Sequence, residues 1–134
     1  VLEISDRIVL LVTPDIPAIK NIRLFFEVME ALGHPLEEIT LVLNKSDRQS
    51  TIREEDIETS IKHPVVAQIT NDRVSALAAA NQGVPLLIGQ KNKPISRDIL
   101  ALADRLKEEL EAEVEEAPTE TKTPSTGLMG RLFR

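Results

Sequence analysis

Leu41-Val42-Leu43-Asn44-Lys45-Ser46-Asp47 decides how this chain is read. A short apolar run, Ile39 to Leu43, stops abruptly at Asn-Lys-x-Asp. In α/β nucleotide-binding folds, ligands sit just beyond the carboxyl ends of parallel strands. An Asn placed there offers an amide donor and an acceptor to the edge of a purine base. An Asp there can accept two hydrogen bonds from guanine. The stretch therefore points to a purine-nucleotide site. No Gly-x-x-x-x-Gly-Lys-[Ser/Thr] phosphate loop occurs in the 134 residues. The sequence holds the base-reading half of a nucleotide site without the phosphate half.

Outward from that stretch, the pattern alternates strand and helix. Arg7 to Thr13 is a β-branched and Leu run, as in a strand buried on both faces of a parallel sheet. Asp15 is placed to cap a helix, with Pro17 tolerated in its first turn. That helix runs to Leu32 and buries Ile19, Ile22, Phe26 and Met29, spaced three and four apart. Gly33-His34-Pro35 ends it. Ile39 to Leu43 is the second strand. Thr51-Ile52-Arg53-Glu54 reads as a capping box opening a short helix to Lys62. Val65 to Ile69 is the third strand. Asp72 or a neighbour caps a helix from Val74 to Asn81, closed by Gly83. Val84 to Ile88 reads as a short fourth strand or an extended loop. Ser96 is read as the cap of the last helix, with Ile99, Leu102, Ala103, Leu106 and Leu110 along one face. The expected fold is α/β, a parallel sheet with helices on both faces. Three or four strands are few for such a sheet, and a preceding portion is expected to supply the rest. The start at Val1 rather than Met, in what reads as a helix end (Val1 to Ser5), agrees with a boundary inside a longer sequence.

Composition narrows the function. Apolar residues make up 42% of the chain, enough for a core. The net charge of −6 argues against general nucleic-acid binding, so no specific nucleic acid is expected. The loop Lys91-Asn92-Lys93 reads as solvated. Without cysteine there is no disulfide framework, thiolate nucleophile or zinc-thiolate site. His34 and His63 lack ligand spacing and read as a turn and a loop residue. No apolar run of ~18 residues is present to span a membrane, and no signal peptide is visible. The cytoplasm is the expected compartment.

Residues 1–112 read as one α/β unit. Glu113 to Thr126 has almost no large apolar residue and reads as a flexible linker. Residues 127–134 form a short amphipathic tail. Leu128, Met129, Leu132 and Phe133 fall on one helical face, with Arg131 and Arg134 beside it. Such a tail can place apolar side chains at the acyl boundary while Arg meets anionic headgroups. It is too short for a stable helix in water, so one copy binds weakly and dimerisation would supply avidity. A frayed terminus and a peptide that docks on a partner protein are the alternatives.

Asn44-Lys45, then Gln68-Ile69-Thr70-Asn71-Asp72, then Ala80-Asn81-Gln82-Gly83-Val84-Pro85 together resemble the C-terminal half of MinD/ParA-type deviant-Walker ATPases. The opening Asp6 to Ala18 looks most like the CpaE-type branch, ATPases of tight-adherence pilus assembly and localisation. The likeness covers residues 1 to about 110, and the order of the pieces is more specific than any one of them. It implies a P-loop NTPase-like fold, of which this is the C-terminal part. It implies ATP or ADP as ligand, with Mg2+ in the full-length family. It also implies a homodimer, pilus-assembly or positioning partners, and an anionic inner membrane surface as the tail's target, which the tail of MinD resembles. The implied cofactor-binding positions are Asn44, Lys45, Thr70, Asn71 and Asp72. Asn44 matches the family's adenine-contacting Asn, while Asn71 and Asp72 match the end of a segment that wraps the base. Thr70 stands where Pro is usual, and Pro fixes φ whereas Thr does not. The family's catalytic groups and magnesium ligand lie upstream of any matched position, so no residue here is assigned as catalytic. Two other readings remain open. One is a non-hydrolysing adaptor with a docking tail. The other is a GTPase fragment that reads guanine through Asn44 and Asp47.

Overall fold

The computed structural model describes residues 5–116, with side chains to residue 112. The helix end expected at Val1 to Ser5 falls almost wholly outside these residues. So do most of the 113–126 linker and all of the 127–134 tail, with Leu128, Met129, Arg131, Leu132, Phe133 and Arg134.

The chain folds as β1 (Ile8–Val12), α1 (Ile16–Ala31), β2 (Ile39–Ser46), α2 (Glu54–Ile61), β3 (Val65–Thr70), α3 (Arg73–Gln82), α4 (Leu86–Gly89) and α5 (Pro94–Glu116). A single turn of 3-10 helix, Leu36–Glu38, leads into β2. The three strands are parallel in the order β1-β2-β3. β2 is central, and its residues Ile39 to Leu43 are all buried.

The sheet is covered on two faces. On one, Ile39, Leu41 and Leu43 of β2 and Val12 of β1 pack with Ile19, Ile22, Phe26 and Met29 of α1 and Ile57 and Ile61 of α2. The four α1 residues are those the helical spacing predicts. On the other face, Val42 and Ile69 meet Ile95, with Ile99 and Leu102 of α5 and Leu86 of α4 alongside. Ala103 and Leu110, expected on the buried face of α5, are exposed.

His63 closes the first core. Its Nε2–H donates to Ile39 O at 2.9 Å. Its ring lies 4.5 Å from the Phe26 ring, tilted by 33°. His34 sits at the helix end beside Gly33, whose φ of +70° needs the freedom of glycine.

Four local expectations are corrected. β1 is not buried on both faces: Val9 is 43% and Leu11 54% exposed. It is an edge strand, and α5 packs over β3 rather than reaching it. α2 opens at Glu54 rather than after a Thr51 cap; the Asp56 carboxylate accepts the Arg53 N–H at 2.9 Å. Three acids in that first turn, Glu54, Glu55 and Asp56, favour a helix N-terminus there. Residues 84–88 form neither strand nor extended loop, since α4 turns at Leu86–Gly89. Ser96 lies inside α5, fully buried, and its hydroxyl donates to Gln90 O at 2.7 Å. The helix opens on Pro94, whose missing N–H costs nothing in a first turn.

Candidate functional site

β2 does not stop at Leu43. It runs to Ser46 through an irregularity in its pairing with β3. Leu43 pairs with Gln68 and Ser46 with Thr70, so Asn44 and Lys45 together oppose Ile69 alone. This is a β-bulge, a device that re-aims side chains beside functional sites. Lys45 takes up the bend with φ of +55°, a left-handed conformation uncommon for a residue with a side chain. Its N–H donates to Asn44 Oδ1 at 2.9 Å, which holds the Asn44 amide in place. The remaining lone pair of that oxygen and the amide NH2 stay available to a ligand. Asn71 N–H donates to Ser46 O at 2.9 Å and joins the two strand ends.

All five residues singled out in the sequence meet in one cleft. Asn44, Lys45, Thr70, Asn71 and Asp72 line a space of about 790 Å3, together with Arg73, Ala76 and Leu77 of α3 and an apolar wall of Ile69, Ile95 and Ile99. Its volume and mixed lining suit a small organic ligand. The wall can take a flat ring, and the Asn44 amide has the donor–acceptor pair that matches an adenine N6/N7 edge. The residues therefore fit the base of an adenine nucleotide. Among the described residues no group of His, Cys, Asp and Glu side chains is arranged to hold a metal ion.

Asp47 does not face this cleft. It lines a second space of about 450 Å3, with Pro14, Arg48, Arg53 and Gln68, beside the start of α2. Its Oδ1 accepts the Gln49 N–H at 2.9 Å in a local turn. Asp47 also borders spaces that it shares with Lys45, Thr70 and Asn71, so it stands next to the Asn44 cleft without lining it. Between the two clefts, Ser46 donates to Gln68 Oε1 at 2.7 Å, and Gln68 donates to Glu54.

Two carboxylates at strand ends have lowered pKa values. The Thr13 hydroxyl, the Ala18 N–H and the nearby Lys45 charge hold Asp15 below the usual carboxylate value. Asp72 is lowered by the Ser75 hydroxyl and then the Ser75 N–H, as the cap of α3. Its folded pKa lies below the unfolded one. The cap's contribution is therefore complete above the unfolded value of 3.8 and lost as pH falls through the folded value. Amide protection in α3, taken relative to the intrinsic exchange rate at each pH, is expected to fall below about pH 3.8 in the wild type. In Asp72→Asn this acid-dependent change is expected to be absent.

Sequence reading missed the bulge and the contribution of α5. Ile95 and Ile99 carried a helical-face signal, but no signal placed them behind Asn44. Asp98, between them, reaches the end of β3: its Oδ2 accepts the Thr70 N–H at 2.9 Å and the Thr70 hydroxyl at 2.6 Å.

The chain thus has a parallel α/β sheet with a cleft at the carboxyl ends of its strands, where open sheets of this class hold their ligands. Solved ATPase structures of the ParA and MinD kind have this fold. A ParA family ATPase from Chlorobium tepidum TLS matches with a TM-score of 0.71 at 22% identity, over 76% of this chain and 42% of that one. MinD in the MinC:MinD cell division complex of Aquifex aeolicus matches with a TM-score of 0.67 at 20% identity, over 77% of this chain and 43% of that one. MinD of Pyrococcus horikoshii OT3, complexed with Mg-ADP, matches with a TM-score of 0.66 at 17% identity, over 85% and 45%. The chain spans less than half the length of these structures. No family model matches the sequence, and neither does any curated protein. No helix among the described residues is long and apolar enough to cross a membrane.

Proposed function

We propose that this chain supplies the base-binding side of an adenine-nucleotide site in a switch ATPase of the MinD/ParA kind. The observation that carries the reading is the single cleft formed by Asn44, Lys45, Thr70, Asn71 and Asp72 against Ile69, Ile95 and Ile99. When bound, ATP with Mg2+ would supply the hydrolysable phosphate chain. This chain's own residues orient the base: Asn44 by its fixed amide, the apolar wall by excluding water from one ring face.

The unpaired edge of β1 supports the further reading that the sheet continues beside it in a longer protein, and the exposed face bearing Val9 and Leu11 supports added elements that cover it. The CpaE-like opening at Asp6 to Ala18 supports a role in pilus assembly or subcellular positioning. In that reading the full-length protein is a homodimer bridged by ATP. The tail, Leu128, Met129, Arg131, Leu132, Phe133 and Arg134, carries it to the anionic inner face of the cell membrane.

An NMR titration of the chain with ATP and, separately, GTP tests the base site. Without phosphate contacts the affinity is expected to be on the order of millimolar, about −4 kcal/mol. ATP is expected to shift the amide signals of Asn44, Asn71 and Asp72 more than GTP does. Asn44→Ala is expected to weaken ATP about tenfold, the scale of a hydrogen-bonded base edge. Equal responses to ATP and GTP, or an unchanged affinity in Asn44→Ala, would remove the adenine assignment.

A further inference from the structure

We infer that Asp98 is a positioning residue for the base cleft, a role that rests on the adenine reading. Thr70 ends β3 and begins the segment Thr70-Asn71-Asp72 along one wall of the cleft. Thr70 brings two donors to this position, a backbone N–H and a hydroxyl. Both donate to one oxygen, Asp98 Oδ2, at 2.9 and 2.6 Å.

The tie spans 28 positions of sequence and fastens the β3 end to α5. Asp98 is itself held between Ile95 and Ile99, which pack against the sheet and line the same cleft. The clamp and the apolar wall therefore share one rigid helix. The chain entering the cleft at Asn71 is held at two adjacent points. One is the Asp98 tie at Thr70; the other is the Asn71 N–H to Ser46 O. Two hydrogen bonds on one oxygen hold both the backbone and the side chain of Thr70.

Because both donors use one oxygen, the carboxylate's second oxygen is dispensable. Asp98→Asn keeps an amide oxygen with two lone pairs and retains the tie; Asp98→Ala removes it. The test measures ATP affinity of the full chain and hydrogen exchange at the Thr70 amide. Asp98→Ala is expected to weaken ATP about tenfold and to expose the Thr70 amide, while Asp98→Asn stays within about twofold on both readouts.

An Asp98→Ala chain with wild-type affinity, or an Asp98→Asn chain as weak as Asp98→Ala, overturns the positioning role. An unchanged Thr70 exchange rate in Asp98→Ala overturns the tie itself. If the wild-type chain binds no ATP but Thr70 exchange still depends on Asp98, the adenine reading and the positioning role fall and the clamp stands.

Discussion

Leu41→Ala is expected to lower folding stability by about 2–5 kcal/mol, the range for emptying a packed Leu site. Leu41 is fully buried in the central strand and belongs to the core shared with α1 and α2. Its neighbours cannot easily collapse into the gap. On the strand it lies between Thr40 and Val42, whose side chains point to the other face, and beneath it Ile57 is also fully buried. Deleted carbon atoms lose their dispersion contacts, and a cavity stays behind. Equilibrium urea unfolding followed by far-ultraviolet circular dichroism measures the change. A loss below about 1 kcal/mol would mean that α1 and α2 do not pack on β2 as described.

Leu11→Lys is expected to have opposite consequences in two settings. In this chain by itself Leu11 lies on the open side of an edge strand, and a lysine there is expected to change stability by no more than about 0.5 kcal/mol. Charged residues on such an edge also discourage strand-to-strand association, so solubility is expected to rise. In a longer protein whose added elements cover that face of β1, the same lysine would be an unpaired buried charge. There it is expected to cost about 3–5 kcal/mol. Parallel urea melts of the two lengths, each with and without the substitution, read the difference. Equal small effects in both would mean that the face of β1 bearing Val9 and Leu11 stays open in the longer protein too.

The sheet and its main cover were legible because apolar runs and helical spacing record burial directly. Ile19, Ile22, Phe26 and Met29 fall where period 3.6 puts them, and Ile39 to Leu43 form a strand with both faces covered. The five cleft residues were legible because two strand ends in a parallel sheet come side by side. What escaped depended on tertiary detail. The bulge at Asn44 and Lys45 exists only in the pairing of β2 with β3, and a single strand's sequence does not show it. The apolar run of β1 looks the same whether one face or two are covered. Ser96 fitted the pattern of a cap, yet its hydroxyl turns back to Gln90 O from within the helix. Asp98 gave no sign because its partner lies far away in sequence and its helix neighbours read as ordinary core.

The stacked pair of His63 and Phe26 has a practical consequence. The chain has neither Trp nor Tyr, and only three Phe, so it carries almost no intrinsic fluorescence. The imidazole of His63 takes over as the native reporter. Its carbonyl partner fixes the Nε2–H tautomer, and the Phe26 ring at 4.5 Å places its carbon-bound protons in an aromatic shielding field. His34, at the far end of α1, serves as an internal reference in the same spectrum. The His63 imidazole signal is therefore expected to be displaced while α1 is seated on β2 and to lose that displacement when α1 lifts away, which makes it a label-free reporter of that contact.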